Sequence, residues 1–308
     1  MQPFTIKEYE QTYLSNERLA SIYKRKWFKL FVPEAYGGLE LSLKNGLEVL
    51  VQTADIQGGL GWTINLGAGA NWFSGFFNDE AAKEIFMPPE AVIAGSGFAS
   101  GTWKEGNELS YNINGTWSRC TGAKHATFFS LNAKDNSDQT KTFVVPAEKV
   151  KLSEEKWKIF GLRNTSSYTI DIDHQSVPQH YSFRINEIRN SNAYLVHDIP
   201  FETFARLCMS ASFIGIIQCF IRNCVNHPLN QKALKFIEKE LQPLLDASET
   251  NCFDWSEKIS EVVLDQNMTD DLMNEMKSSL GNLNQKLYNH VQQLFFFAGL
   301  PIVEEDTL

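Results

Sequence analysis

Apolar residues in the first part of the chain recur every three to four positions, the spacing of one helix face. Between residues 43 and 56 they fall at Leu47, Leu50, Val51 and Ala54. Ser15-Asn16-Glu17 provides capping residues for an earlier helix that runs to Lys26. We therefore expect residues 1–88 to form an N-terminal helical domain.

Short runs of alternating apolar and polar residues replace this pattern from about residue 89. They cover residues 109–115, 126–132, 142–146 and 168–174. Such alternation is typical of strands with one buried face, and the Asn114-Gly115 pair is typical of a hairpin turn. Several short strands at roughly even spacing favour a small antiparallel sheet or barrel, which we expect to occupy residues 89–190.

Helical periodicity returns near Pro200. The segment from Phe201 to Val225 is apolar nearly all round, as in a helix buried on most sides. Amphipathic segments follow at residues 232–247, 255–265 and 270–297. We expect residues 191–308 to form a C-terminal helical bundle, and the order of helices, strands and helices predicts an α+β fold.

The charge balance narrows the class of partner. The chain has 308 residues, a formal net charge of -9 and a pI of about 5.3. Nucleic acids and anionic membranes are bound by clustered Lys and Arg. The short basic run Lys24-Arg25-Lys26 is followed at once by Trp27 and Phe28. We therefore expect neither a nucleic acid nor a membrane as partner.

The cysteines indicate a reducing compartment. Their number, five, is odd, their spacing is irregular and no CxxC pair occurs. Neither a disulfide framework nor a zinc site is therefore indicated. Residues 1–20 contain no apolar segment of the kind found in secretion signals. We expect a cytoplasmic protein without a bound metal.

Self-contained catalytic motifs are missing from the sequence. There is no GxGxxG after a strand, no HExxH and no GxSxG. The segment Gly115 to Lys124 ends in Gly-Ala-Lys, which is not the ending of a phosphate-binding loop. The residues by themselves leave the catalytic groups unknown.

Three segments resemble the acyl-CoA dehydrogenase superfamily. They are Leu30-Phe-Val-Pro-Glu-Ala-Tyr-Gly-Gly38, Gly115-Thr-Trp-Ser-Arg-Cys-Thr-Gly122 with His125-Ala126 after it, and Trp157-Lys-Ile-Phe-Gly-Leu-Arg-Asn-Thr-Ser-Ser-Tyr168 running to Val177-Pro178. They occur in the family's order, and the second is closer to the branch that contains flavin-dependent hydroxylases. The resemblance implies an acyl-CoA dehydrogenase-like fold, in which residues 89–190 form a middle antiparallel β-barrel. It also implies a bound flavin, FAD or FMN, a small-molecule substrate, and assembly as a homodimer or homotetramer.

The resemblance also implies which residues form the site. In the family, the residue matching Thr121 directs its hydroxyl toward the reactive N5 edge of the flavin, and hydroxyls are suitable donors there. The alternative for Thr121 is a turn hydroxyl that bonds local backbone. The implied flavin contacts are Ser96, Arg119, Cys120, Thr121, Ser166 and Ser167. The implied substrate contacts are Trp62, Asn71 and Arg206.

The sequence departs from the family at positions that carry chemistry. Arg119 occupies the place where dehydrogenases commonly have a Trp on the flavin. Ala205 occupies one place of the carboxylate that removes the substrate α-proton, and Glu304 and Glu305 lie before the other. Ala70 occupies the place where the hydroxylase branch often has a His.

These observations leave two functions open. The first is a flavin-dependent oxidoreductase that acts on an acyl thioester or on an aromatic or polyketide-like molecule. The second is a catalytically degenerate member that acts as a binding or scaffold protein without flavin turnover. The aromatic segment from Trp72 to Phe77 is compatible with a substrate pocket and with core packing.

Overall fold

The structure is a computed structural model, and it describes residues 4, 8, 11–107, 109–153, 161–226 and 229–298. Its helices are α1 (Asn16–Lys24), α2 (Leu43–Ile56), α3 (Gly58–Asn71), α4 (Asp79–Phe86), α5 (Phe201–Val225), α6 (Gln231–Phe236), α7 (Gln242–Leu264) and α8 (Asp270–Ala298). Its strands are β1 (Ile93–Glu105), β2 (Ser110–Cys120), β3 (Phe128–Lys134), β4 (Thr140–Pro146), β5 (Lys151–Leu152), β6 (Tyr168–Pro178) and β7 (Ser182–Phe183). Helices, strands and helices therefore follow one another as predicted.

The seven strands form one open sheet in the order β5-β6-β2-β1-β3-β4-β7. The prediction of an antiparallel β-barrel was wrong in two respects. Strands β1 and β3 pair in parallel, while the other neighbours pair antiparallel. Closure would require the edge strands β5 and β7 to pair with each other, and each has only two residues. The fold is mixed α+β with an open sheet.

The predicted turn at Asn114-Gly115 is also absent, because β2 continues through it to Cys120. Gly115 instead faces Gly101 on β1, and the pairing of β2 with β6 shifts register beside it. A Cβ atom on Gly101 would lie 2.1 Å from the Trp117 ring, so glycine is required for the indole to fit. Trp117 is fully buried and its Nε1 donates to the carbonyl of Asn132 at 2.8 Å.

Local sequence signals position the helices. Ser15 caps α1 as predicted, since its hydroxyl accepts from the N–H of Arg18 at 3.3 Å. The helix ends at Lys24, two residues before the predicted end, and Lys26 adopts a left-handed backbone with φ 56°. The break predicted between residues 247 and 255 does not occur, because α7 runs without interruption and follows a π-helical turn, Ile237–Leu241.

The chain divides into two compact units. The first comprises the described part of residues 11–42 and 63–201, with the whole sheet, and the second comprises that of residues 43–62 and 202–298. In the second unit α5 packs closely on α2, because Gly215 approaches the carbonyl of Val51 where a Cβ atom would be 2.2 Å away. The domain boundaries expected after residues 88 and 190 stay predictions.

Helix α5 is the one described helix that is long and apolar enough to cross a bilayer, by length and composition only. Of its most apolar window, 61% is buried inside the protein, a pattern that the core helix of a soluble protein also shows. All five cysteines are buried free thiols. Among the described residues no group of His, Cys, Asp and Glu has the arrangement of a metal site.

Candidate functional site

The site predicted around Thr121 lies where two strands pair irregularly with their neighbours, β1 with β3 and β2 with β6. The register of β1 against β3 is irregular between Ser96 and Gly101, and that of β2 against β6 between Trp117 and Cys120. Within the second irregularity Arg119 has a left-handed backbone, with φ 63°. Such local departures from the ladder turn side chains away from their regular direction, and they are frequent beside binding sites.

Arg119 and Phe98 form the exposed part of this site. The Arg119 guanidinium carbon lies 5.8 Å from the centre of the Phe98 ring, and 57% of Phe98 is exposed. Ser96 is half-buried, and its hydroxyl accepts from the N–H of Phe98 at 3.4 Å. Both residues therefore contact Phe98 in the irregular stretch of β1. Ser96 does so through a hydrogen bond and Arg119 through a cation–π contact.

Thr121 belongs to a buried group of hydroxyls. Its Oγ1 lies 3.0 Å from the Oγ of Ser167, which lies 2.9 Å from the Oγ1 of Thr165. The Thr165 hydroxyl donates in turn to the carbonyl of Leu162 at 2.8 Å. Thr165 is fully buried, and Thr121 and Ser167 are each 6% exposed. The predicted pair Thr121 and Ser167 is therefore in direct contact through side chains.

Ser166, in the loop before β6, forms hydrogen bonds with the turn after β2. Its hydroxyl accepts from the N–H of Lys124 at 3.1 Å, and its carbonyl accepts from the N–H of Ala123 at 3.0 Å. Its N–H donates to the carbonyl of Thr12, and its backbone is left-handed with φ 54°. The contacts described for Ser166 hold the backbone on which Thr121 sits.

Cys120 is fully buried beneath this site. Burial raises the pKa of its thiol to about 12. The thiol therefore stays protonated near neutral pH and does not act as a nucleophile. Its contact with a flavin stays a prediction.

His125 lies just after the turn and carries an unpartnered nitrogen. Its ring stacks on Phe28 with centroids 5.5 Å apart and an angle of 18° between the planes. Its Nε2 is inaccessible to solvent and has no hydrogen-bond partner among the described residues. Burial lowers the pKa of His125 to about 4, so the imidazole is neutral at physiological pH.

Asn71 is fully buried and bridges three backbone groups. Its Nδ2 donates to the carbonyls of Phe28 at 2.9 Å and Ala91 at 3.0 Å, and its Oδ1 accepts from the N–H of Ile93 at 2.9 Å. These bonds use most of the capacity of the amide. Asn71 therefore fixes the start of β1, and its contact with a substrate stays a prediction.

Trp62 and Arg206 belong to the second unit. Trp62 is half-buried, and Arg206 forms an ion pair with Glu202 at 2.6 Å, with 40% of the Arg206 side chain exposed. A surface cavity of about 270 Å³ in this unit is lined by Arg206 and Glu202 together with Asp270 and Lys277. The substrate contacts predicted for Trp62 and Arg206 stay predictions.

The aromatic segment after α3 forms core and not an exposed pocket. Trp72, Phe76 and Phe77 are fully buried, and Phe73 is 7% exposed. Their rings pack on one another and on Phe183. Of the two interpretations of this segment, the burial and the ring contacts support core packing. Residues 157–160 of the third resemblance segment, and Glu304 and Glu305, lie outside the described residues.

Two residues of the site were missed by sequence reasoning. Thr165 extends the series of hydrogen-bonded hydroxyls beyond Ser167. It could have been found from the sequence, because it directly precedes the two predicted residues in the run Thr165-Ser166-Ser167. Phe98 lies under Arg119, and nothing in its neighbourhood in the sequence distinguishes it from a buried strand residue. Its exposure appears only with the irregular pairing of β1.

The residues of this site fit a flavin in their chemistry. Phe98 and Arg119 offer an exposed flat contact and a positive charge, and no carboxylate in the described part of the chain forms an ion pair with Arg119. A Cβ atom built on Gly97 meets nothing within 4 Å, so the backbone there is open to approach. Thr121 adds a hydroxyl. A flavin presents a flat ring, hydrogen-bonding edges and negative charge.

Comparison with known proteins gives relatives of one kind, although no protein-family model matches this sequence. The oxygenase subunit HsaA of a flavin-dependent monooxygenase from Rhodococcus jostii (strain RHA1) is 22% identical over 214 residues, which are 66% of this chain and 56% of the relative. A pigment production hydroxylase from Rhodococcus sp. (strain ATCC 21145) is 27% identical over 198 residues, 60% of this chain and 51% of the relative. The matched segment thus spans about half of each relative's length.

Solved structures agree over nearly the whole chain. The 3-HSA hydroxylase from Rhodococcus sp. RHA1 superposes with a TM-score of 0.88 at 17% identity, covering 97% of this chain and 83% of that one. XiaF from Streptomyces sp., solved in complex with FADH2 and glycerol, gives 0.85 at 18% identity with the same coverage. TdsC from Paenibacillus sp. A11-2, solved with FMN and indole, gives 0.79 at 15% identity, covering 98% and 86%.

These comparisons define the class of fold. The chain has the fold of flavin-dependent monooxygenase oxygenase components, and the resemblance to acyl-CoA dehydrogenases holds at the coarse level of that fold. The HsaA subunit is a flavin-dependent and the resorcinol hydroxylase an FADH2-dependent enzyme, and XiaF and TdsC have been solved with FADH2 and with FMN bound. The names of the relatives describe monooxygenases and hydroxylases.

Proposed function

We propose that this protein is the oxygenase component of a two-component flavin-dependent monooxygenase that hydroxylates a small aromatic molecule. The observation that carries the proposal is that the buried hydroxyls of Thr121, Ser167 and Thr165 are hydrogen-bonded to one another, close in the chain to the exposed Arg119–Phe98 pair. They belong to a protein with the fold of flavin-dependent monooxygenases. The names of relatives support an aromatic substrate, since they include a resorcinol hydroxylase and an indole-3-acetate monooxygenase. One relative is an oxygenase subunit, which supports a separate reductase.

Each residue of the site would have a separate role in binding the flavin. Thr121 would bond the polar edge of the ring, and Ser167 and Ser166 would hold Thr121 and its backbone in place. Arg119 would neutralise negative charge on the ring or on a phosphate, because no described carboxylate competes for it. Reduced flavin supplies the electrons with which dioxygen is split between substrate and water. FAD and FMN both suit this arrangement.

The test uses chemically reduced flavin, so that no reductase is needed. The protein is titrated anaerobically with reduced FMN and reduced FAD, and then mixed with air-saturated buffer containing resorcinol or indole. With isotopically labelled dioxygen, one labelled oxygen atom in the aromatic product supports the proposal. Failure of both reduced flavins to bind would overturn it.

Matched variants separate the site from general damage. Thr121→Val should weaken the binding of reduced flavin by about fivefold, the equivalent of one hydrogen bond. Thr53→Val removes another buried hydroxyl, from α2, where it donates to the carbonyl of Leu50, and should leave binding unchanged. Equal losses in the two variants would contradict the placement of the site.

A second function, binding without flavin turnover, is favoured by one feature of the sequence. Ala205 and Ala70 occupy places where the resembled enzymes carry ionisable groups. A protein of this kind would bind an aromatic probe but no flavin in either redox state. The names of the relatives give no support to an acyl thioester as substrate, and dehydrogenation of an acyl-CoA is tested with the same preparation.

A further inference from the structure

The hydroxyls of Thr165, Ser167 and Thr121 form a chain whose hydrogen bonds run in one direction. The Thr165 Oγ1 lies 2.8 Å from the carbonyl oxygen of Leu162, which only accepts, so the single hydroxyl hydrogen of Thr165 is committed there. Ser167, 2.9 Å from Thr165, must therefore donate to Thr165. Thr121, 3.0 Å from Ser167, must then donate to Ser167.

Burial enforces this direction. Thr165 is fully buried, and Thr121 and Ser167 are 6% exposed, so water does not replace a bond that is lost. Reversing the chain would bring the Thr165 oxygen against the Leu162 carbonyl with no hydrogen between them. An unmade hydrogen bond at a buried group costs about 1 to 3 kcal/mol.

The consequence falls on the outer end of the chain. The hydrogen of the Thr121 hydroxyl points inward to Ser167, so toward any other group its oxygen offers only lone pairs. A ligand that meets this oxygen must donate a hydrogen. The Leu162 carbonyl, three hydrogen bonds away, therefore determines that the Thr121 oxygen acts as an acceptor toward a ligand.

We propose that this relay makes Thr121 select reduced over oxidised flavin, an inference that rests on the function proposed above. Two-electron reduction places a hydrogen on the ring nitrogen N5, which in the oxidised ring is an acceptor. With N5 beside Thr121, as the resemblance implies, an acceptor-only hydroxyl would accept a hydrogen bond from the reduced N5–H, whereas the lone pair of the oxidised N5 would face the lone pairs of the hydroxyl. The polarity of the relay thus sets which redox state the site prefers.

The experiment measures the dissociation constants of oxidised and reduced FMN and FAD for the whole protein, anaerobically, in the wild type and in Thr165→Val. The wild type should bind the reduced form more tightly. In Thr165→Val the Ser167 hydroxyl is released to donate to Thr121, whose own hydrogen then becomes available to the ligand. The preference for reduced flavin should fall about fivefold, with the midpoint potential of bound flavin lower by about 20 mV.

This change includes tighter binding of oxidised flavin after removal of a buried hydroxyl that touches no ligand, which structural damage does not produce. Ser167→Ala frees the same Thr121 hydrogen and should shift the preference in the same direction. Thr53→Val, whose hydroxyl also donates to the carbonyl three residues earlier, should leave the preference unchanged.

The outcomes separate the relay from the proposed function. If the wild type binds flavin but Thr165→Val and Ser167→Ala both retain its redox preference, the relay proposal is wrong and the proposed function stands. Equal weakening of both redox states in the two variants has the same meaning. If the wild type binds neither redox state of either flavin, both proposals fall.

Discussion

The imidazole of His197 accepts a hydrogen bond at Nδ1 from the backbone N–H of Tyr194, across 3.2 Å. The proton of the neutral ring is therefore on Nε2, which lies 3.4 Å from the hydroxyl of Ser74. The ring also stacks on Trp72, and a Cβ atom on Gly75 would lie 2.4 Å from it. His197 is thus a neutral core residue of the first unit, and protonation would disrupt its surroundings.

This arrangement predicts acid destabilisation. Burial lowers the pKa of His197 to about 4, an effect that backbone hydrogen bonds offset only in part, while an unfolded His titrates near 6.5. Between these values the unfolded chain binds more protons at this residue, so the contribution of His197 to stability is complete above pH 6.5 and is lost as the pH decreases toward 4. The loss should reach about 3 kcal/mol at pH 4.

The measurement is the free energy of unfolding as a function of pH. His197→Gln should give a shallower slope between pH 6.5 and 4, whatever its overall stability. Gln293→Ala changes an exposed residue of α8 that does not titrate, and it should retain the wild-type slope. Identical slopes in His197→Gln and the wild type would refute the assignment.

Removal of the unpartnered nitrogen of His125 should stabilise the protein. His125→Phe retains the stacked contact with Phe28 and eliminates a buried Nε2 that has no partner in the described part of the chain. We expect a gain of about 1 kcal/mol in the free energy of unfolding, measured by denaturant titration. His174→Phe, on an exposed part of β6, should give no gain. A destabilised His125→Phe would indicate that the nitrogen has a partner in solution.

Gly101 is predicted to tolerate no side chain. In Gly101→Ala the new methyl group would lie 2.1 Å from the Trp117 ring, and the loss should be about 3 kcal/mol or more. Gly69→Ala in α3, where a Cβ atom meets nothing within 4 Å, should instead gain up to about 1 kcal/mol, because alanine favours helix. Thermal unfolding of both variants tests the opposite signs, and similar melting temperatures would contradict the packing of Trp117.

Lys29 is predicted to support the end of α4. Its buried Nζ donates to the carbonyls of Phe86 at 2.6 Å and Pro88 at 2.8 Å. Lys29→Met leaves both carbonyls without this donor and should cost about 2 to 4 kcal/mol in denaturant unfolding. Lys44→Met, which removes only an exposed ion pair with Glu257, should unfold like the wild type. A neutral Lys29→Met would mean that water replaces the ammonium group.

The family resemblance selects three residues that the structure brings close together, and their contact with a flavin stays a prediction. Thr121, Ser166 and Ser167 were chosen from short segments, and the structure joins them in one hydrogen-bonded region. It did not reveal Thr165 as the residue that orients the others, because the direction of a hydroxyl depends on which carbonyl lies beside it. It also gave no sign of Phe98 under Arg119, since that contact joins two strands.

The order of helices, strands and helices was determined by the sequence alone, because the periodicity of apolar residues reports which face of each element is buried. The tertiary structure alone decided that the sheet is open, that β1 pairs in parallel with β3, and that Asn71 joins the carbonyl of Phe28 to β1. These features depend on contacts between residues distant in the chain. Periodicity carries no information about which strand becomes a neighbour, and only the folded chain brings the partner atoms within hydrogen-bonding distance.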